Sequence, residues 1–164
     1  MGKFKLYIGI DPGKNGALAM IDETNEVTLI DFDLKAYIKL LNSIKNSTKS
    51  YDMFIGIERV HAMPGEGVKS SFSFGERVGE LKGMISTLDF DINTEWIPPQ
   101  TWQKHINTDL NRGKKAIANS LLSLYPSADL YGPRGGLKDG RSDALGIANY
   151  IYQKYSKDKD VKPI

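Results

Sequence analysis

Two short segments of this chain run through uncharged residues and end in an acid. Leu6-Tyr7-Ile8-Gly9-Ile10 leads into Asp11, and Met53-Phe54-Ile55-Gly56-Ile57 leads into Glu58. Such runs suit strands buried on both faces. Ile-Gly-Ile-Asp and Ile-Gly-Ile-Glu match residue by residue. Pro12-Gly13 follows the first acid and forces a turn. A carboxylate at the end of a core strand is costly to bury without a partner, so two of them point to a use. If the strands are parallel neighbours, about 4.8 Å apart, Asp11 and Glu58 point the same way with Gly9 and Gly56 beneath them. Like charges that close take up a proton or a cation between them. The pair therefore reads as half of a metal site.

Further acids come near the end of the chain, in Lys138-Asp139-Gly140-Arg141-Ser142-Asp143-Ala144-Leu145. Asp139 and Asp143 are four residues apart and would share one face of a helix reaching back that far. Each also has an ordinary explanation: Asp139 as an N-cap, and Asp143 as a first-turn acid that compensates the helix dipole. Taken together, Asp11, Glu58 and Asp143, with Asp139 as a fourth candidate, would form a carboxylate cluster. Such a cluster can hold two divalent ions about 3.5–4 Å apart, one activating water and the other stabilising the leaving oxygen of a phosphodiester. There is no cysteine and there are only two histidines. Thiolate and histidine-rich sites are thereby excluded, and an all-oxygen site selects Mg2+ or Mn2+.

The elements that must position these acids can be read from periodicity. Ala17–Ile21 and Glu26–Asp33 read as strands joined by the polar loop Asp22-Glu23-Thr24-Asn25, giving an antiparallel meander with the first strand. Leu34, Tyr37, Ile38, Leu41 and Ile44 mark a helix over about 35–46. The strand ending in Glu58 follows, then a loop over 59–70. A helix over about 73–86 carries Phe74, Val78, Leu81 and Ile85 on one face and Gly75, Gly79 and Gly83 on another. Each glycine costs about 0.5–1 kcal/mol against alanine, so something must approach that stripe closely. Packing on the sheet is the ordinary reading, and a partner subunit or a nucleic-acid backbone is the other. Asn93–Ile97 reads as a fifth strand, and Pro98-Pro99 then opens a short helix. A polar loop over 105–112 leads to a helix over 114–125 with Ile117, Leu121 and Leu124 inward. The glycine-rich, basic segment 131–140 leads to a last helix over about 141–155, with Ala144, Ala148, Ile151 and Tyr155 on its apolar stripe. Residues 1–156 are expected to form one domain, and 157–164 a frayed, charged tail.

The bulk numbers agree with a globular α/β protein. The 164 residues are 40% hydrophobic and 26% charged, with a net charge of +2, so any nucleic-acid binding must come from local basic clusters. No run reaches the roughly 20 apolar residues of a membrane span, and no membrane partner is expected. The lack of cysteine is compatible with a reducing cytoplasm.

Three motifs carry a resemblance to a known family. I-G-I-D-P-G-x-x-G-A-L-A at the start, I-E-R-V-H-A-M-P-G-x-G-V after the fourth strand, and D-G-R-S-D-A-L near the end resemble the RuvC family of Holliday junction resolvases, most closely its phage-type members. The resemblance spans nearly the whole chain, in order. It implies the RNase H-like fold, a mixed five-stranded sheet flanked by helices, with three antiparallel strands and then parallel ones. It implies a homodimer that cuts four-way DNA junctions with Mg2+, in the cytoplasm of a bacterium or a phage-infected host. Carried over by position, Asp11, Glu58 and Asp143 match the family's carboxylates. The fourth usually stands three residues before the last. Here Gly140 fills that place and Asp139 is one further back.

The expected DNA contacts surround the acidic end of the sheet: Lys14, Lys69, Arg77, Lys82, Lys104, Arg112, Lys114, Lys115, Arg134, Lys138 and Arg141. Arg112-Gly113-Lys114-Lys115 stands out because a helix start also offers backbone amides to phosphate. In the family the loop after Glu58 reaches toward the junction centre, where His61 or Met63 could wedge between bases. Alternatives remain: a junction-binding protein with weak or lost cleavage, prompted by Gly140, or a broader nuclease for branched DNA or RNA–DNA hybrids. An actin-like ATPase also uses I-G-I-D-x-G, but it needs a second domain for which 164 residues leave no room.

Overall fold

The computed structural model describes residues 3–59, 67–88, 93–106 and 113–156. In chain order these form β1 (Phe4–Asp11), β2 (Ala17–Asp22), β3 (Val27–Asp31), α1 (Leu34–Lys45), β4 (Tyr51–Glu58), α2 (Val68–Thr87), β5 (Asn93–Ile97), α3 (Pro99–Gln103), α4 (Lys114–Leu124) and α5 (Asp139–Tyr155). One five-stranded sheet has the order β3-β2-β1-β4-β5. β2 is antiparallel to both β1 and β3, β4 is parallel to β1, and β5 is parallel to β4. This is the mixed sheet expected from the motifs.

Side chains alternate across a strand, and the alternation splits the core into two layers. Leu6, Ile8 and Ile10 of β1 and Met53, Ile55 and Ile57 of β4 pack with Tyr37 and Leu41 of α1 and Leu81 and Met84 of α2. On the other face Tyr7, Ala17, Ala19 and Ile21 meet Ala144, Ile147, Ala148 and Ile151 of α5, with Trp102, Ile117 and Leu121 behind them. By the same alternation, Gly9 and Gly56 belong to the α5 face, and so do Asp11 and Glu58.

The two strand glycines let α5 lie down on the sheet. A Cβ on Gly9 would overlap the backbone of Ala144 and Ala148, and one on Gly56 would stand 2.8 Å from Ile147 and 2.9 Å from Ile151. α5 runs antiparallel to β1: at one end Lys5 Nζ donates to the Tyr155 carbonyl at 3.2 Å. At the other end Asp143 precedes Ala144, the residue seated on Gly9. The close packing thus brings the acid of α5 to the carboxyl ends of β1 and β4.

Three expectations need correction. α2 starts at Val68 and takes up the end of the segment read as loop. Its glycine stripe does not pack on the sheet: Gly75, Gly79 and Gly83 are exposed, with nothing within 4 Å of where a side chain would stand, while Leu81 and Met84 form the buried face. Leu124 is not inward but 56% exposed. It is the last residue of α4, and the next residue takes the inward place: the buried Tyr125 donates its hydroxyl to Asn149 Oδ1 at 2.8 Å. Among the described residues no helix is long and apolar enough to cross a membrane.

Candidate active site

β1 and β4 pair in register through Gly9↔Gly56 and Ile10↔Ile57, so the next residues along are Asp11 and Glu58. Both are buried, at 9% and 8% exposure. Each has one oxygen fixed by the protein. Asp11 Oδ1 accepts the Gly13 backbone N–H at 2.8 Å, the contact that the Pro12-Gly13 turn makes possible. Glu58 Oε1 accepts the indole N–H of Trp102 at 3.1 Å. Trp102 is fully buried and packed against Gly146. Sequence reasoning placed it only in a short helix. A buried indole needs a partner for its N–H, and that requirement is what could have drawn attention to it.

The acids act on one another electrostatically. Burial, and then the charge of Asp11, push Glu58 up to about 7. Burial pushes Asp143 up to about 7 as well, with Asp11 and Glu58 adding to it. Asp11 is also raised, by burial, against the Gly13 hydrogen bond. Among the described residues no three Asp, Glu or His side chains stand close enough to chelate one ion. Asp139 is the first residue of α5 rather than its N-cap, which is Lys138. It forms an ion pair with the exposed Lys114, which sits at the first position of α4. That hydrogen bond, with weaker help from the charges of Asp143 and Asp11, raises the Lys114 ammonium.

No protein-family model matches this sequence, and no curated protein matches it by sequence. Solved structures do match. The chain aligns with T. thermophilus RuvC in complex with Holliday junction substrate over 91% of this chain and 95% of that one, with a TM-score of 0.54 and 12% identity. A second Thermus thermophilus RuvC structure aligns over 92% and 96%, with a TM-score of 0.52 and 12% identity. This chain has the RuvC-type, RNase H-like fold.

Within this RuvC-type fold, position 140 is closed to an acid. Gly140 is buried, and a Cβ on it would overlap the carbonyl of Asn15 and crowd Gly16. The β1–β2 turn occupies the space a side chain would need. The opening of α5 is tied down by a charge network. Asp31, the last residue of β3 and paired with Ala17 of β2, accepts from Lys138 Nζ at 2.7 Å and from Arg141 Nε at 2.6 Å, and Arg141 reaches on to Asp129 Oδ2 at 2.7 Å. These partners hold Asp31 down at about 2, the Arg141 hydrogen bond most of all. Lys138 and Arg141 therefore have intramolecular partners.

The other basic candidates are spread widely. Lys14, Lys69, Lys104, Lys115 and Arg134 are exposed. Arg77 lies 6.0 Å from the Phe32 ring centre and Lys82 5.3 Å from that of Trp96. His61, Met63 and Arg112, and the tail 157–164, lie outside the described residues.

Proposed function

We propose that this protein is a divalent-metal-dependent endonuclease that hydrolyses phosphodiesters in four-way and other branched DNA. The observation that carries this reading is the pair of buried acids at matching ends of β1 and β4, with Asp143 brought over them by α5. Asp11 raises the proton affinity of Glu58, and both raise that of Asp143. The three are near enough to repel but not close enough for one ion to be held by all three as they stand, so a cation would have to draw them together. The RuvC neighbour was solved with a Holliday junction substrate, which supports the substrate class.

In donor chemistry, though not in present spacing, the set fits a hard cation. Asp11, Glu58 and Asp143 would hold Mg2+ or Mn2+ through oxygen alone, and Asp139 would join them on leaving Lys114. Bound there, such ions supply Lewis-acid stabilisation of the charge that develops on phosphate and lower the pKa of water. The protein's own part is orientation. Gly13 fixes one oxygen of Asp11 and Trp102 one oxygen of Glu58, so the second oxygen of each is presented to the cluster from a rigid strand end. Exposed lysines such as Lys14, Lys69 and Lys115 would neutralise phosphates, and binding would weaken steeply with salt.

A homodimer would place two such sites on one junction. The exposed face of α2 suits it: Val68 is 88% and Phe72 67% exposed, and Gly75, Gly79 and Gly83 continue the same stripe. Glycines there allow close approach of a second helix, so a Gly79→Leu variant is expected to run as a monomer by light scattering.

The deciding experiment is cleavage of a synthetic four-way junction with and without Mg2+, beside three-way, flap and RNA–DNA hybrid substrates. Product only with metal supports the proposal, and strongest cutting of hybrids would shift the substrate class. The closed position at Gly140 and the Lys114–Asp139 pair favour a second reading, a junction-binding protein with weak cleavage. Binding without product in Mg2+ or Mn2+ at several pH values would select it.

A further inference from the structure

Beside Asp11, Glu58 and Asp143 lies a groove that none of these three lines. It encloses about 420 Å3 between the β1–β2 turn, the end of β3 and the start of α5. That volume is within the range of small-ligand sites and is enough for a nucleobase with its sugar. Phe32 and Leu137 give it apolar walls, and the exposed Asn15 also lines it. It shares Asp139 with the candidate site, and the Asn15–Gly16 backbone that borders it presses on Gly140, three residues before Asp143.

The lining discriminates between ligands. Lys14 and Lys138 are balanced by Asp31 and Asp139, so the charged liners sum to zero. A phosphate would call for a positive excess. A neutral, flat heterocycle calls for an apolar face and donors and acceptors at its edge, which is what the groove offers. Phe32 is held in place: its ring meets Tyr37 edge-on with centroids 5.5 Å apart, and the Arg77 guanidinium lies 6.0 Å from its centre. A ring fixed in this way can stack a base without losing further side-chain freedom.

Building on the proposed function, we propose that this groove holds one nucleoside of the cut strand, packed against Phe32 and read at its edge by Asn15. The identity of a base next to the scissile phosphate would then set the cutting rate. Such a base has left the stack of its own arm, which is easier at a branch point than within a duplex.

The test uses junctions in which each nucleotide flanking the cut is replaced in turn by an abasic site or by 2-aminopurine. The wild-type protein is expected to cut one abasic junction about 10-fold more slowly than the intact one, the scale of one lost base–aromatic stack. Asn15 is exposed, so Asn15→Ala should fold normally, and it is expected to cut all four bases at that position within about 2-fold of each other. Phe32→Leu is expected to cut intact and abasic junctions alike. Equal cutting of intact and abasic junctions by the wild type would overturn the groove while leaving the nuclease standing. A second readout does not need cleavage. Binding of the 2-aminopurine junction to an Asp11→Asn protein is expected to change the probe's emission, and adding Asn15→Ala is expected to abolish that change. If the wild type cuts no junction with any metal, the proposed function fails, and emission alone judges the groove. No change in emission overturns it.

Discussion

Glu58 and Glu95 lie on neighbouring strands, β4 and β5, and α5 covers the face of the sheet from which both side chains project. They end in opposite states. Glu95 stands in register with Gly56, toward the far end of α5. Lys154 donates to both of its oxygens at 2.7 Å, and the Tyr155 hydroxyl donates as well. Burial pushes Glu95 up, but these partners outweigh it and hold it below the usual carboxylate range. Among the described residues Glu58 has no cation partner. Burial and Asp11 raise it to about 7, against the hydrogen bond from Trp102. One helix thus brings a lysine to one end of the sheet and an aspartate to the other. The fold can neutralise a glutamate on this face, and at one end it does so. At the other it adds a third acid, which costs stability unless an outside cation is bound. That asymmetry separates the charge-paired end of the sheet from the end that carries the candidate site.

The largest effect expected from breaking the comparison is at Asp11. Asp11→Asn, or Glu58→Gln, is expected to lower junction cleavage by about 1000-fold or more, since ligands of catalytic metals carry several kcal/mol of transition-state stabilisation. Junction binding in a gel-shift assay should persist. Cleavage within a few-fold of wild type would remove these acids from the reaction. Next is Trp102→Phe, which keeps most of the packing and deletes the hydrogen bond to Glu58. Outer partners of this kind are worth about 10–100-fold in activity or metal affinity. The loss should appear in kcat and in the Mg2+ titration, with little change in junction affinity.

The acidic end should also show in stability. Glu58 and Asp143 have folded values near 7 against unfolded values of 4.5 and 3.8. Their contribution to stability is present below those unfolded values and is lost as pH rises through about 7. The metal-free protein is therefore expected to melt at a lower temperature at pH 8 than at pH 5, and Mg2+ or Mn2+ should raise the Tm more at pH 8. Glu58→Gln should flatten both trends in a differential scanning measurement. The smallest effect belongs to the paired end. Glu95→Gln is expected to lower the Tm by about 2–4 °C, the scale of one partly exposed ion pair in a chain of this size, and to leave cleavage within about 2-fold.

Two acids of the candidate site were legible because Asp11 and Glu58 lie where strands end. The matched Ile-Gly-Ile runs would put their acids together only if the strands were parallel neighbours, and the pairing of Gly9 with Gly56 meets that condition. The antiparallel β1–β2–β3 meander followed from its short connections, while the parallel later strands were implied only by the family resemblance. Side-chain partners were not legible, because they join residues far apart in sequence. Nothing local ties Trp102 to Glu58, Lys114 to Asp139, or Arg141 to both Asp31 and Asp129. The α2 glycines misled for a related reason. Their spacing shows that a stripe is bare, but not which way the helix is turned.

By itself the sequence determined which chemistry this protein has available: oxygen ligands, no thiolate, and acids at the ends of two apolar strands. These follow from residue type and from the two-residue period of a strand, both local properties. Only the tertiary structure decided which acids remain without a counter-charge among the described residues. That depends on how α5 is seated over Gly9 and Gly56, and on the β1–β2 turn that fills the space at position 140. Burial and the nearness of other charges set the state of a carboxylate, and neither exists until the chain has folded.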